Sequence, residues 1–463
     1  MYAKKPPIGP NLSLYSDLLH GFYCVVSFLH SLDDFYVWMI KLIYDLCLAT
    51  WFLGGTLHKL LVLLILSYIS VDSYAHYYDT LPKGVNSFVS RYIKSDINSS
   101  YNQSKTLSPF TFEVNADIKM LEDINDPTLN DILDVFNSYP DAYSAISLGT
   151  HKFDAKADVN VDVYALAYGI TDRITAYVGV PIYKANVNIN YTRIKNDSLD
   201  EVSDILQDTN GDDLAQTIGN IVENLYEVDE SLIQSGIVNA LEYDELGDWQ
   251  GEGLGDTELG IMYNFLREKK YGMMATFGLV APTGYVDDPD LLQDIGFGDG
   301  QWDVFAEFGG GYELRDDITI NAWTRYTYQF ASTKKLRVPL ASDTNLGAEN
   351  ASFEEKLGNK ILFGTNVDYY INDWFKLQSG LVFDFISEAE YSSSDAQANR
   401  RLAKDTESYS QNIKMLAQFS SLKLFQKKKF VLPAQINLSL QKMMDGKNVP
   451  KTDLAEIEFR FYF

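Results

Sequence analysis

Two kinds of side chain in this sequence could do chemistry, histidines and carboxylates, and the first are scarce. Five His occur, and downstream of a candidate processing site after Ala75 only His76 and His151 remain. A hydrolase needs a His held beside a nucleophile and oriented by an acid, whereas a loop His such as His151 is more often plain polar surface. The chain therefore reads as a non-enzyme without a cofactor. Both cysteines, Cys24 and Cys47, precede Ala75, so the remainder offers no thiol chemistry. Asp208, Asn210 and Asp212 stand at positions 1, 3 and 5 of a calcium-type loop. Asp213 occupies the place of the turn glycine and Gly219 that of the bidentate acid, so no metal site is expected. The run Asp287, Asp288, Asp290, Asp294 and Asp299 has the same status, and cation binding by such acidic loops stays open.

Other carboxylates recur in alternation with apolar residues, which points to the elements that carry them. At the C-terminus Ile457, Phe459, Phe461 and Phe463 share one parity, and Glu456, Glu458, Arg460 and Tyr462 the other. An extended strand there has one apolar and one charged face. The habit returns throughout, as in Leu259, Ile261, Tyr263, Phe265 and in Ile361, Phe363, Thr365, Val367, Tyr369. Counted from Phe110, twelve such strands are expected. Past Lys184 the apolar parity changes to Val187, Ile189 and Tyr191, which predicts a β-bulge near Lys184–Asn186. Short links at Gly169–Arg173, Arg267–Lys270, Arg315–Asp317, Asn372–Trp374 and Gln426–Lys429 alternate with long ones, the longest being 194–252. Amphipathic helical spacing appears over Pro127–Tyr139 and Leu199–Leu241. This asymmetry suits an all-β fold, a transmembrane antiparallel up-and-down barrel with helical extracellular insertions. A soluble β protein is the weaker alternative, because no second sheet is evident to cover so many apolar faces. Mean hydropathy near zero argues against a helical membrane bundle.

On this reading the second face lines a lumen or pathway. Its charged residues are Glu113, Asp117, Asp158, Asp162, Asp256, Glu258, Asp303, Glu307, Arg325, Asp368, Asp384, Lys414, Glu456, Glu458 and Arg460. Pairs among them brace the interior, while the excess of acids would favour cations in a narrow passage. Phe459, Phe461 and Phe463 form an expected assembly signal for the barrel-assembly machinery. The formal charge of −26 falls almost wholly after residue 75 and excludes nucleic acid as a natural partner.

Leu60–Ile69, with His58 and Lys59 before it and Ser73-Tyr74-Ala75 after it, has the parts of a secretory signal. The further apolar stretches before it read either as membrane helices or, preferably, as an over-called start ahead of Met39 or Leu57. Three parts follow: a signal region 1–75, a periplasmic extension or plug 76–109, and an outer-membrane barrel 110–463.

Tyr168-Gly169-Ile170-Thr171-Asp172-Arg173, Val180-Pro181, Gly253-Leu254-Gly255-Asp256, Ala281-Pro282-Thr283-Gly284 and Gly300-Gln301-Trp302-Asp303 occur in that order. Together they resemble the outer-membrane barrel family named for the meta-pathway of phenol degradation, itself similar to long-chain fatty-acid channels. The resemblance covers roughly Asp158 to Phe463. It implies passive uptake of small, hydrophobic or aromatic molecules through a barrel set in outer-membrane lipid. The acidic insertion 194–252 and the acidic lumen depart from that pattern. A structural or surface-interaction barrel with a closed lumen is the rival reading.

Overall fold

The computed structural model describes residues 77–118, 133–134, 137–194, 198–207, 230–339, 347 and 349–463. The expected signal region, His76, the calcium-like loop 208–213 and most of the helix expected over 127–139 lie outside them.

Twelve strands close into one antiparallel ring. They are β1 (Asn86–Ile97), β2 (Ser147–Thr171), β3 (Ile174–Ile194), β4 (Thr257–Arg267), β5 (Tyr271–Ala281) and β6 (Asp303–Arg315). The ring continues with β7 (Ile318–Gln329), β8 (Lys360–Tyr370), β9 (Phe375–Ile386), β10 (Ser408–Ser420), β11 (Ala434–Lys447) and β12 (Asp453–Tyr462). Each pairs with its neighbours in sequence, and β12 returns to β1 from Ser87↔Tyr462 to Asp96↔Asp453. Closure leaves no strand edge to be satisfied.

Alternation sets the two faces. Leu259, Ile261, Tyr263 and Phe265 of β4 point outward and exposed beside Tyr271, Met273, Phe277 and Leu279 of β5. Phe277 meets Phe308 of β6 edge-on at 5.9 Å, a cross-strand aromatic pair that ties neighbouring strands. The opposite parity buries Asn264, Thr276, Asp303 and Gln329. Short turns join β2 to β3, β4 to β5, β6 to β7 and β8 to β9. The link from β10 to β11 instead spans 421–433 and includes the helix Leu422–Gln426. Asn86 and Phe463 exchange backbone hydrogen bonds of 2.7 and 3.0 Å at this same end.

Three expectations are corrected. The first barrel strand is Asn86–Ile97, not the segment from Phe110. In β1 the apolar Val89 and Ile93 share the inward parity with Arg91, which cancels the alternation signal. Thr111–Asp117 alternates for another reason: it pairs with the outer part of β2, where Ala116 is fully buried in a hydrophobic cluster beyond the ring. Glu113 and Asp117 are therefore not on the ring, and Glu456, Glu458 and Arg460 face Ile93, Arg91 and Val89 instead.

Second, Asp158 and Asp162 point outward, on the parity of the exposed Tyr164, Leu166 and Tyr168. The small residues Val161, Val163, Ala165 and Ala167 take the lumen side, so the more apolar face of this strand is the inner one. Third, no bulge occurs at Lys184–Asn186, where β2 and β3 stay in register from Tyr183↔Val161 to Val187↔Ala157. The inward parity is odd along all of β3. What changes is its surroundings, from a polar lumen to the cluster against which Ile189 and Tyr191 pack.

That cluster sits on the β2–β3 hairpin beyond the ring. Leu148 and Phe153 of β2 pack with Ala142 of α1 (Pro140–Ala145), Val202 of α2 (Leu199–Gln207), and Ile233 of α3 (Glu230–Ser235) with Ile237 in the π turn that follows. Helical structure thus occurs at both described ends of the insertion.

Candidate functional site

The lumen is braced on one wall by Arg325 of β7. Its Nε donates to Glu307 of β6 at 2.8 Å and its Nη1 to Glu258 of β4 at 2.9 Å. Its guanidinium lies 4.2 Å from the Phe305 ring centroid, and Tyr177 of β3 donates to Glu258 at 2.6 Å. A planar guanidinium serves two carboxylates at once because its donors are fixed in a fork.

The opposite wall is braced across the closing seam. Arg91 Nε donates to Glu458 at 2.9 Å, Arg460 lies 3.0 Å from the same carboxylate, and Asn437 donates to it at 2.8 Å. Lys414 holds Glu456 at 3.0 Å, and Lys376 holds Asp368 at 3.1 Å. These contacts satisfy buried charge, as a polar interior requires.

The remaining acids gather in one place. A cavity of about 330 Å³ at the long-loop end is lined by Asp256, Asp299, Asp303, Asp384, Arg325, Lys360, Thr327 and the apolar Pro181, Tyr183, Val280, Phe297 and Leu362. The Tyr183 and Phe297 rings stack at 5.2 Å and 8°. Phe297 and Asp299 come from the loop between β5 and β6, which is pinned against the barrel mouth. Asp256 accepts from the backbone N–H groups of Gly284 at 2.9 Å and Asp299 at 3.1 Å. Gly298 permits this approach, since a Cβ there would collide with the Asp256 carboxylate. In the same loop Asp294 accepts from Tyr285 at 2.9 Å, and burial together with that carboxylate pushes the Tyr285 hydroxyl up to about 12.

The short-turn half of the lumen holds the segment that precedes β1. Tyr77 stacks on Trp323 at 6.3 Å and donates to Glu307. Tyr78 is 3% exposed and its carbonyl accepts from Asn264 at 2.5 Å. Asp79 pairs with Arg267 at 3.0 Å, Thr80 donates to the Asp172 carbonyl at 2.9 Å, and the Leu81 amide donates to Thr175 at 2.8 Å. Gly272 and Gly309 make room, because a Cβ at either would strike the Tyr78 or Tyr77 ring. Glycine at such positions admits a close approach that no other residue would.

Of the charged residues expected in the lumen, the structure brings Glu258, Glu307 and Arg325 together. Asp256, Asp303 and Asp384 meet at the cavity, and Lys414, Glu456, Glu458 and Arg460 lie along the seam. Asp368 is paired apart from these, while Glu113, Asp117, Asp158 and Asp162 lie elsewhere. Sequence reasoning missed Arg91, Tyr177, Lys360 and Tyr77, and it read Asp299 only as part of an acidic loop. Tyr177 carried a usable sign, as a hydroxyl on the inner parity between the outward Ala176 and Val178.

No family model and no curated protein matches the chain. Among solved structures, an outer membrane channel from Pseudomonas putida F1 aligns with a TM-score of 0.48 at 16% identity, covering 85% of this chain and 100% of that one. The Ralstonia pickettii toluene transporter TbuX aligns at 0.33 and 10%, covering 83% and 90%. A Pseudomonas aeruginosa FadL homologue aligns at 0.30 and 8%, covering 82% and 89%. The barrel assignment rests on this chain's own strand pairing.

Proposed function

We propose that the protein is an outer-membrane channel for passive uptake of small molecules, closed in this conformation by residues 77–85. One observation carries the reading. Arg325 borders the open cavity and holds Glu307, and Glu307 in turn receives Tyr77. Withdrawal of the tail would therefore extend the cavity toward the short-turn end without breaking the ring. The outward apolar belt suits a lipid surround, and the placement of both barrel termini at the short-turn end suits a secreted chain whose ends stay in the periplasm. Phe459, Phe461 and Phe463 would present the terminal aromatics to the assembly machinery. The cavity's mixed wall suits small solutes with an apolar or aromatic part.

The braces across the lumen favour the rival, a closed structural barrel whose loops bind a partner. Planar-bilayer recordings separate the two. The intact barrel should conduct weakly and a variant lacking residues 77–81 substantially, and a deleted barrel that is folded yet silent would sink the channel reading.

A further inference from the structure

The loop between β5 and β6, which supplies Phe297 to the cavity, is fastened away from the ring by one side chain. Arg337 belongs to the strand Ser332–Val338 in the link from β7 to β8, and its side chain is 7% exposed. Its Nε donates to Asp290 of the β5–β6 loop at 2.9 Å, and its Nη2 donates to the same carboxylate at 2.6 Å. Nη1 donates to the carbonyls of Leu241 at 2.7 Å and Gly347 at 3.2 Å, and Nη2 also to that of Glu242. The donors of the guanidinium are thereby all used, and its central carbon lies 4.0 Å from the Tyr243 ring centroid.

Three links that leave the ring at separate strands therefore meet on one cation: the end of the insertion 194–252, the β5–β6 loop and the β7–β8 link. Around it the Asp244 amide donates to the Asp290 carbonyl at 2.9 Å, and Asn350 donates to the Asp290 carboxylate at 3.2 Å. The Gly347 amide donates to the Tyr243 hydroxyl at 3.0 Å. None of these residues belongs to β1–β12, so the ring closes without them. The bonds are polar and the Asp290 side chain is 44% exposed, so water can take their place. A segment held in this way opens locally while the rest stays folded.

We propose that Arg337 is the fastening of an outer gate. It holds the three links as one cap with Phe297 seated against Tyr183, and a solute reaches the cavity from the long-loop side when the cap lifts. The inference rests on the channel reading and adds a second closure to that of residues 77–85. Lysine could not replace Arg337, because an ammonium has fewer donors and no planar fork to span a carboxylate and three carbonyls.

The test reads access to a thiol placed in the cavity wall, Thr327→Cys, in the folded barrel in detergent with Cys24→Ser and Cys47→Ser. The tail is unaltered, so a change in the rate of labelling by a small charged methanethiosulfonate reports the long-loop side. Arg337→Met and Arg337→Lys should each quicken labelling about tenfold or more, and Asp290→Ala, which spares the carbonyl contacts, about threefold. Heat-modifiable gel migration should stay intact, and Asp290→Ala decides the matter if the arginine variants do not assemble. Labelling at the parent rate in Arg337→Met or, failing its assembly, in Asp290→Ala overturns the gate. A parent rate in Arg337→Lys alone overturns the role given to the fork. Bilayer recordings of the barrel lacking residues 77–81 keep the two readings apart, and Arg337→Met should make that barrel open more often. Faster labelling without any conductance defeats the channel and leaves the cap, while conductance indifferent to Arg337→Met and Asp290→Ala defeats the outer gate and leaves the channel.

Discussion

The Tyr77 hydroxyl donates to the same Glu307 carboxylate that Arg325 holds from the other side. A residue that precedes the first strand is thereby tied to the middle of the lumen. Tyr77→Phe removes only that donor. A hydrogen bond to a charged group contributes about 1.5–3 kcal/mol, so a released tail should become ~10–100 times more populated. Bilayer recordings should show more frequent openings at unchanged unit conductance. An unaltered opening frequency would remove Tyr77 from the gate.

Arg325→Met should lower barrel stability by about 2 kcal/mol, because Glu258 and Glu307 lose their shared cation while remaining half-buried. Adding Glu258→Gln and Glu307→Gln should restore most of the loss. The temperature at which the folded gel band disappears measures both effects.

His151 offers a pH dependence outside the ring. Expected in a surface loop, it lies instead in β2 and is fully buried, with Nδ1 2.8 Å from the Tyr191 hydroxyl. Burial, and then the charge of Arg193, holds the imidazole below its ordinary range. The unfolded chain thus takes up the proton more readily. The stability owed to the neutral ring is fully present above about pH 6.5 and is lost as pH falls through the depressed folded value. Protection factors over 148–153, which correct amide exchange for its intrinsic slowing in acid, should fall on acidification, and His151→Phe should remove that dependence. Protection factors independent of pH in the unaltered protein would refute the assignment.

The sequence showed the barrel because period-two alternation survives wherever one face meets lipid, as from β4 to β12. It misplaced the start because alternation reports an apolar cover without saying which cover. In Thr111–Asp117 the cover is the helical cluster, and in β1 the lipid side is carried by Phe88 and Tyr92 alone, among Asn86, Ser90, Lys94 and Asp96. The same ambiguity inverted Asp158 and Asp162. The cavity was half legible: Asp256, Asp303 and Asp384 came from strand parity. Lys360 and Asp299 did not, since an end residue and a folded-back loop have no parity to read. Tyr77 lay beyond any pattern, because its partners are about 230 residues away.

Removing Phe463 should impair assembly more than conduction. Its ring is 59% exposed, but its backbone closes the last pair with Asn86. The yield of heat-modifiable barrel in membranes should fall, while those molecules that do assemble conduct as before. Normal yield of the deletion would count against an assembly role for this residue.

The hairpin of β2 and β3 has strands of 25 and 21 residues, while β8 and β9 across the ring have 11 and 12. A bilayer crossing needs only about 9–11. The rim is therefore cut obliquely: its tall side is the wall itself, prolonged and carrying its own core. Its low side is completed by a separate small sheet, Ser332–Val338, Glu349–Lys356 and Glu390–Ser392. Sequence drift around the mouth should accordingly be uneven. Substitutions in that small sheet alter only an accessory element, whereas changes at Phe153 or Tyr191 disturb a hairpin whose β3 runs on into the cavity wall at Tyr183 and Pro181.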